Sequence, residues 1–501
     1  MRFSIKLFLL LLTTSSISFA SNECTGNNYE VINSKINVNS ITRDNAPKEL
    51  FGFNLPWRDF QIGYFRNGEV KDELIELLSP FDGASYRYPG GSPTSSFEWR
   101  NSIGPVAQRK LQHADYDRYS IPEFGLNEFA NFVTRVKGRA IITINLVGPY
   151  KKNPLSPDEL ASETFAMLQY IKNSSEFACV GGAKCTLMAM ELGNELDGPP
   201  YNWPASIYTM RSTAVLAKTA TDMPEIKWIA NGRSSPWENK APEYKIFNNF
   251  IASGLANKVQ GIAIHPYYDG IDIPSASQYV TEFGKSWQNF QPKAQVFVTE
   301  HARWPTIPVS GEWKSNWSQA TGLGGAISTA DFLLTLMRNP QVAAANWHAL
   351  GISGPWQLIR LDKKRDRLYP SPVYWGMRTI REGYLDHVVS TVYTQPSSIS
   401  YSGGYDFKLV GMTTKDGKSV SVLGINRNIK PINIHIKWTG GSRKAGIGIL
   451  KIVTGNSTDE DNTDTFPDKI IIKKNDRLMQ SNRSTSSWCI PGQSIFSIIE
   501  P

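Results

Sequence analysis

Cysteine and histidine are both scarce in this sequence, four and six among 501 residues, and their scarcity removes the metal-rich classes first. Cys24, Cys179, Cys185 and Cys489 show no zinc-site spacing. A metal-dependent barrel hydrolase built on His265, His301, His348 and Glu300 would want a His-x-His pair on an early strand, yet only His113 precedes His265. No G-x-S-x-G elbow is present, which argues against a serine hydrolase. Gly411 to Ser419 imitates a phosphate-binding loop, but five residues separate its glycines where that loop has four. No metal and no cofactor are therefore expected. Beyond the N-terminus no apolar run approaches the roughly 20 residues of a membrane span, and repeats and low-complexity tracts are missing. Charged residues make up 20 % and the net charge is only +8. So mild an excess excludes a dedicated nucleic-acid binder and suits a soluble surface or an acidic glycan.

At the N-terminus Arg2 and Lys6 precede or begin the apolar run Leu7 to Leu12, and Ser18-Phe19-Ala20 has a small-x-small cleavage pattern. We read residues 1–20 as a signal peptide and expect a secreted or periplasmic protein. Loss of Arg2 and Lys6 with that leader lowers the net charge from +8 to +6. An oxidising compartment permits disulfides. Cys179 and Cys185 enclose the flexible Val180 to Lys184 stretch and form one expected pair, leaving Cys24 and Cys489 as the other; free buried thiols are the alternative.

From residue 49 to 387 short apolar runs alternate with longer amphipathic stretches, the rhythm of repeated βα units. Eight strand candidates, 49–53, 83–88, 140–145, 187–192, 226–230, 259–264, 295–299 and 342–347, predict an α/β fold, a (β/α)8 barrel. Ser156-Pro157-Asp158-Glu159 reads as a capped helix start. Past residue 388 short alternating strands at 405–410, 419–425, 432–438, 447–453, 469–473 and 494–499 predict a C-terminal β-sandwich over 388–501. Residues 21–48 join it as an extra strand.

Two carboxylates end apolar strands: Glu195, in Glu191-Leu192-Gly193-Asn194-Glu195-Leu196-Asp197-Gly198, and Glu300, in Phe297-Val298-Thr299-Glu300-His301. Glycosidic cleavage needs one acid to protonate the leaving oxygen and a second carboxylate across the sugar. A single such Glu could equally be a surface acid; two in this rhythm favour chemistry. Asp197 is better explained as a turn cap.

Tyr86-Arg87-Tyr88-Pro89-Gly90-Gly91, Trp99-Arg100, Ile103-Gly104-Pro105 and Leu192 to Pro199 resemble glycoside hydrolase family 51, the α-L-arabinofuranosidases, within clan A. The resemblance implies a retaining glycosidase acting on a carbohydrate, with Glu195 as acid/base and Glu300 as nucleophile. It further implies that Asn194 binds the sugar 2-hydroxyl, Arg87 partners the nucleophile, His265 holds the acid/base network, and Tyr267 bonds the nucleophile or ring oxygen. A retaining pair stands about 5–5.5 Å apart. Trp304, Trp347 and Trp356 are candidate sugar-stacking walls, with core packing an equal explanation for each. Where the family usually has Asn after Pro-Gly-Gly this chain has Ser92, and near the first strand, where a Glu is frequent, it has Asn54. Those departures, together with Arg360, Lys363, Lys364, Arg365 and Arg367 after the eighth strand, make a β-glucuronidase or heparanase-like enzyme on an acidic glycan the alternative. A carbohydrate-binding protein without catalysis is the alternative of another class.

Overall fold

The computed structural model describes residues 24 and 29–501, apart from 116, 151, 176, 178–186, 220–222, 234–240, 269–272, 309, 395–403 and 441–442. The expected leader and the Cys179–Cys185 pair lie outside the described residues.

Eight parallel strands close a barrel in sequence order: Gly52–Asn54, Ser85–Tyr88, Arg139–Ile144, Leu187–Leu192, Trp228–Asn231, Gly261–Ile264, Gln295–His301 and Val342–Trp347, the last pairing with the first. Each overlaps one of the eight sequence candidates. The first is shorter than expected because Lys48–Phe51 coils into a 3-10 turn. Strands such as Ser85–Tyr88 and Val342–Trp347 are buried along their whole length, as strands covered by helices outside and side chains inside must be. Ile141, Ala189, Ile229, Ala263, Phe297, Ala343 and Ala344 form a separate apolar cluster. The barrel is a packed core and not a pore.

Helix Pro157–Asn173 begins as its sequence predicts, Ser156 Oγ accepting from the Glu159 backbone N–H at 3.3 Å while Glu159 reaches back to the Ser156 N–H at 2.8 Å. Helix Leu323–Met337 is buried almost all round, packed between the barrel and the C-terminal sheet. Its Asp331, fully buried, pairs with Lys408 and, at 3.0 Å, with Arg427. Among the described residues no single helix is long and apolar enough to cross a membrane.

The C-terminal part is one nine-stranded sheet that curls on itself. Trp438 and Trp488, on neighbouring strands near one edge, both donate their indole N–H to Glu500, at 2.9 and 2.8 Å, across the enclosed core. The N-terminal segment Glu30–Arg43 lies inside this sheet, parallel to Ile432–Thr439 and antiparallel to His387–Tyr393, and the Cys24–Cys489 disulfide ties it down. Three sequence expectations need correction. Strand His387–Tyr393 is not among the expected strands and starts at the boundary placed between barrel and sheet. The strand expected at 469–473 runs over Lys473–Met479, an edge strand so polar that the preceding Ile470 to Ile472 drew the assignment. Strand Thr485–Ile490 escaped notice because Ser, Thr and Cys dilute its alternation.

Candidate active site

Strand alternation generates a polar layer at the mouth of the barrel. Ile141, Ala189, Ile229, Ala263 and Phe297 fill the interior. Every second residue of a strand shares a face, so Thr143, Glu191, Asn231, His265 and Thr299 stand above them. On the seventh strand the pairing with the eighth shifts register between Val298 and His301. Such irregularities re-aim side chains, and here both Thr299 and the adjacent Glu300 reach the site.

Arg87, fully buried on the second strand, is the hub. Its Nε donates to Glu191 Oε2 at 2.5 Å, Nη2 to Glu191 Oε1 at 3.1 Å and Asn194 Oδ1 at 2.8 Å, and Nη1 to Glu300 Oε1 at 2.7 Å and Asn54 Oδ1 at 3.1 Å. All five N–H donors of the guanidinium are engaged. Asn54 Nδ2 also donates to Glu300 Oε1, at 3.3 Å. On the other oxygen, Tyr267 Oη donates to Glu300 Oε2 at 2.7 Å. His348 Nδ1 lies 3.0 Å from that same oxygen, within ion-pair reach although off the axis of a well-formed hydrogen bond. Burial alone would push the Glu300 carboxyl up; the positive charge of His265, His348 and Arg87 more than reverses this and holds it well below the usual carboxylate range.

Glu195 is delivered by a left-handed turn. Leu192 ends the fourth strand, and Gly193 takes φ +77°, where a Cβ would come within 2.8 Å of Leu196 Cδ1. Glu195 itself adopts φ +47°, a conformation that costs an L-residue about 1–2 kcal/mol. Asn231 offsets it, its Oδ1 accepting the Glu195 backbone N–H at 3.2 Å. The Glu195 side chain stays 35 % exposed, open to the barrel mouth, with Oε1 2.7 Å from His265 Nδ1. Burial would lower the His265 pKa, but Glu300 and Glu195 outweigh that and raise it, with Arg87 opposing. One ligand atom each from Glu195, His265 and Glu300 lie within 4.8 Å of one another. Both Glu300 oxygens and both His265 nitrogens already have protein partners, so these groups form an acid–base network among themselves.

The structure thus gathers Asn54, Arg87, Asn194, Glu195, His265, Tyr267 and Glu300. Ser92 is exposed at the start of the 3-10 turn Ser92–Ser96. On that loop it is Gly91 that faces Glu300: a Cβ there would sit 3.5 Å from Glu300 Oε1. Trp347 is no stacking wall, being fully buried with its indole N–H donated to the Trp356 carbonyl at 3.1 Å. Trp356, Trp304 and Trp313 do form an aromatic wall beside Tyr267, with Trp304 and Trp313 half-buried and stacked 5.7 Å apart. His301 is a core residue against Phe332 and Trp347, and its burial together with the charge of His348 lowers its pKa to about 3.

The basic run after the eighth strand forms the hairpin Ile359–Asp362 and Arg367–Pro370. Arg360 is bound to Asp461 at 2.8 Å and to Thr321 at 2.6 Å, and Arg365 to Asp362 at 2.8 Å. Sequence reading missed Glu191, Thr143, Asn231 and Thr299 as site residues. Counting by two from the inward apolar residue of each strand would have found them.

A family model for the α-L-arabinofuranosidase 1 domain matches residues 77–269. The intracellular exo-α-(1→5)-L-arabinofuranosidase of Acetivibrio thermocellus is 26 % identical over 254 residues, 45 % of this chain and 46 % of the relative. The exo-α-(1→6)-L-arabinofuranosidase of Bifidobacterium longum is 26 % identical over 219 residues, 40 % of this chain and 38 % of the relative. The chain therefore spans less than half the length of these curated relatives. In fold it is similar to an arabinose-bound α-L-arabinofuranosidase from Thermotoga maritima, with TM-score 0.74 at 16 % identity over 93 % of this chain and 99 % of that one. It is also similar to a family 44 xyloglucanase of Paenibacillus polymyxa, with TM-score 0.61 at 12 % identity over 94 % of this chain and 100 % of that one. The matched family model, the relatives and the barrel with its polar layer point the same way: the chain is similar in sequence to α-L-arabinofuranosidases and shares the fold of solved ones.

Proposed function

We propose that the protein is a retaining glycosidase that releases α-L-arabinofuranosyl groups by double displacement. The observation that carries this reading is the approach of Glu195 and Glu300 to within 4.8 Å, oxygen to oxygen. An inverting pair stands roughly 6.5–9.5 Å apart to admit a water, whereas about 5–5.5 Å lets one carboxylate attack directly. Glu300, held ionised by Arg87 and its histidine neighbours, attacks the anomeric carbon and forms a glycosyl ester. Glu195 gives its proton to the departing oxygen, then takes one from the water that hydrolyses the ester. Asn194, whose Oδ1 is occupied by Arg87, keeps its amide N–H groups for a sugar hydroxyl. Trp304 and Trp313 supply an apolar face for a sugar ring.

The activities of the relatives in both sequence and fold support the arabinofuranosyl group as substrate. The test is a panel of aryl glycosides: α-L-arabinofuranoside, β-D-xyloside, β-D-glucoside and β-D-glucuronide. Glu300→Gln should abolish all turnover. Glu195→Ala should spare activated leaving groups and be partly rescued by azide. Cleavage of the glucuronide alone would transfer the assignment to the acidic-glycan alternative, and glycan binding without any turnover would make the protein a lectin-like binder. Export remains part of this proposal, supported by the Cys24–Cys489 disulfide, a bond at home in an oxidising compartment.

A further inference from the structure

The roles proposed for Glu195 and Glu300 leave Glu191 and Thr299 without work, although both are fully buried beneath the pair. We infer that Glu191 and Thr299 are positioning residues that lock the inward-facing Nε2 of His265 in its protonated form, so that His265 exchanges protons only through Nδ1 with Glu195. This inference rests on the proposed acid/base role of Glu195.

The argument follows donors and acceptors from the bottom of the site upward. Five donors converge on Glu191: Arg87 Nε and Nη2, Thr143 Oγ1 at 3.1 Å, Asn231 Nδ2 at 3.2 Å and Thr299 Oγ1 at 3.0 Å. A carboxylate so surrounded acts only as an acceptor. The single hydroxyl hydrogen of Thr299 is thereby committed to Glu191. What Thr299 offers upward is a lone pair, and His265 Nε2 lies 3.0 Å from its oxygen. Nε2 must therefore carry a hydrogen whether the imidazole is neutral or charged.

Neutral His265 is then left with a bare Nδ1, 2.7 Å from Glu195 Oε1. Only a protonated Glu195 satisfies it. When His265 is charged, the same proton sits on Nδ1 and Glu195 is the carboxylate. The pair holds one proton, which crosses a single short hydrogen bond without any change of tautomer, and Glu195 Oε1 receives it when the leaving oxygen needs it. Other charged groups facing His265 are Glu300, 4.0 Å from Nδ1, and Arg87; Tyr267 and His348 engage Glu300 in turn. Without the lock, neutral His265 is free to carry its hydrogen on Nδ1 and hydrogen-bond an ionised Glu195, so the pair gives up its shared proton to solvent more readily and the acid is lost at lower pH.

Two measurements test this. In the wild-type protein, nitrogen-15 spectra of labelled histidine, with His265 identified by its absence in His265→Gln, should show neutral His265 protonated on Nε2. A neutral His265 carrying its one hydrogen on Nδ1, with Nε2 bare, would overturn the inference without recourse to any variant. In kinetics on an arabinofuranoside with a poor leaving group, Thr299→Val should move the basic limb of the kcat/KM profile to lower pH by about one unit, which is about a tenfold loss on that limb. Thr299→Ser, which keeps the hydroxyl, should restore both position and rate. A Thr299→Val profile that superimposes on the wild type sinks the lock while leaving the two-glutamate reading intact, provided Glu300→Gln is dead. Activity surviving in Glu300→Gln sinks that reading instead, whatever the spectra of His265 show.

Discussion

Replacing Arg87 with Met removes a positive charge of similar volume from between two buried carboxylates. The side chain of Arg87 is 0 % exposed, as is that of Glu191, and that of Glu300 is only 4 % exposed. Breaking one buried ion pair by deleting a partner costs about 3–5 kcal/mol, because it strands an uncompensated charge. Here one deletion strands two, so the upper end, about 5 kcal/mol, is expected. The folded protein can avoid part of that cost by protonating one carboxylate. For Glu300 the loss of an adjacent guanidinium is worth about 1–3 pH units, so the acid limb of kcat/KM should climb by that amount as Glu300 is neutralised. Urea unfolding measures the first quantity and a pH–rate profile on the aryl arabinofuranoside the second. Adding Glu191→Gln to Arg87→Met should recover part of the stability but little of the activity, since Glu191 is the partner distant from the sugar. A variant that kept wild-type stability, or lost rate equally at every pH, would refute the view of Arg87 as the shared counter-ion.

Gly91→Ala places a methyl group 3.5 Å from Glu300 Oε1 on a residue at φ +63°; the conformation alone should cost about 1–2 kcal/mol, read by urea unfolding, with a fall in kcat. Cys24→Ser should cost about 2–5 kcal/mol and expose the anchor of strand Glu30–Arg43 to proteolysis, whereas thiol titration of the unfolded, unreduced wild type should find Cys24 and Cys489 unreactive. Stability of the site should follow the opposed shifts of its two perturbed groups. Glu300, depressed by folding, contributes above its unfolded value of about 4.3 and loses that contribution as pH falls through its lower folded value. His265, raised by folding, contributes fully below about 6.5 and loses that as pH rises through its higher folded value, so the urea midpoint lost on His265→Gln should be largest on the acid side of neutrality.

The barrel was readable because its strands are short, apolar and bounded by turns, and because both catalytic candidates end such strands. Strand Lys473–Met479 was not, since an exposed edge strand needs little apolar patterning to be held by its neighbour. The site was half legible. Glu195 and Glu300 declare themselves by position, but Glu191 sits inside an apolar strand, one residue from its end, and reads as a solvent-facing interruption unless strand direction is followed inward. Thr299 follows the inward Phe297 by two and yields to the same count, whereas Glu300 beside it does not: strict alternation places the two on opposite faces, and only the register shift between Val298 and His301 lets both enter. No residue type marks that shift. Trp347 shows the converse error, a residue of the right type at a strand end whose ring is consumed by packing.

The basic run after the eighth strand illustrates how folding redistributes a sequence signal. As a string, Arg360, Lys363, Lys364, Arg365 and Arg367 offer five cations on the catalytic face and favour an acidic substrate. Folded, the hairpin lies against the acidic loop from the C-terminal sheet: Arg360 meets Asp461, Arg365 meets Asp362 and the Asp464 carbonyl, and Tyr369 donates to Asp464 Oδ1 at 2.5 Å. A charge already paired contributes little field to an incoming anion, and exposed pairs are further screened by salt. The hairpin therefore acts first as a fastener between barrel and sheet, which accounts for Arg360 and Arg365 without any appeal to the sugar. Specificity then falls to groups that touch the reacting site, namely Asn54 and Asn194 on Arg87, Gly91 beside Glu300, and the tryptophan wall. None of these carries a positive charge, and the cations that do stand at the site, Arg87 and the histidines beside Glu300, are already engaged by Glu191, Glu195 and Glu300, which is the physical reason to rank a neutral furanoside above an acidic one.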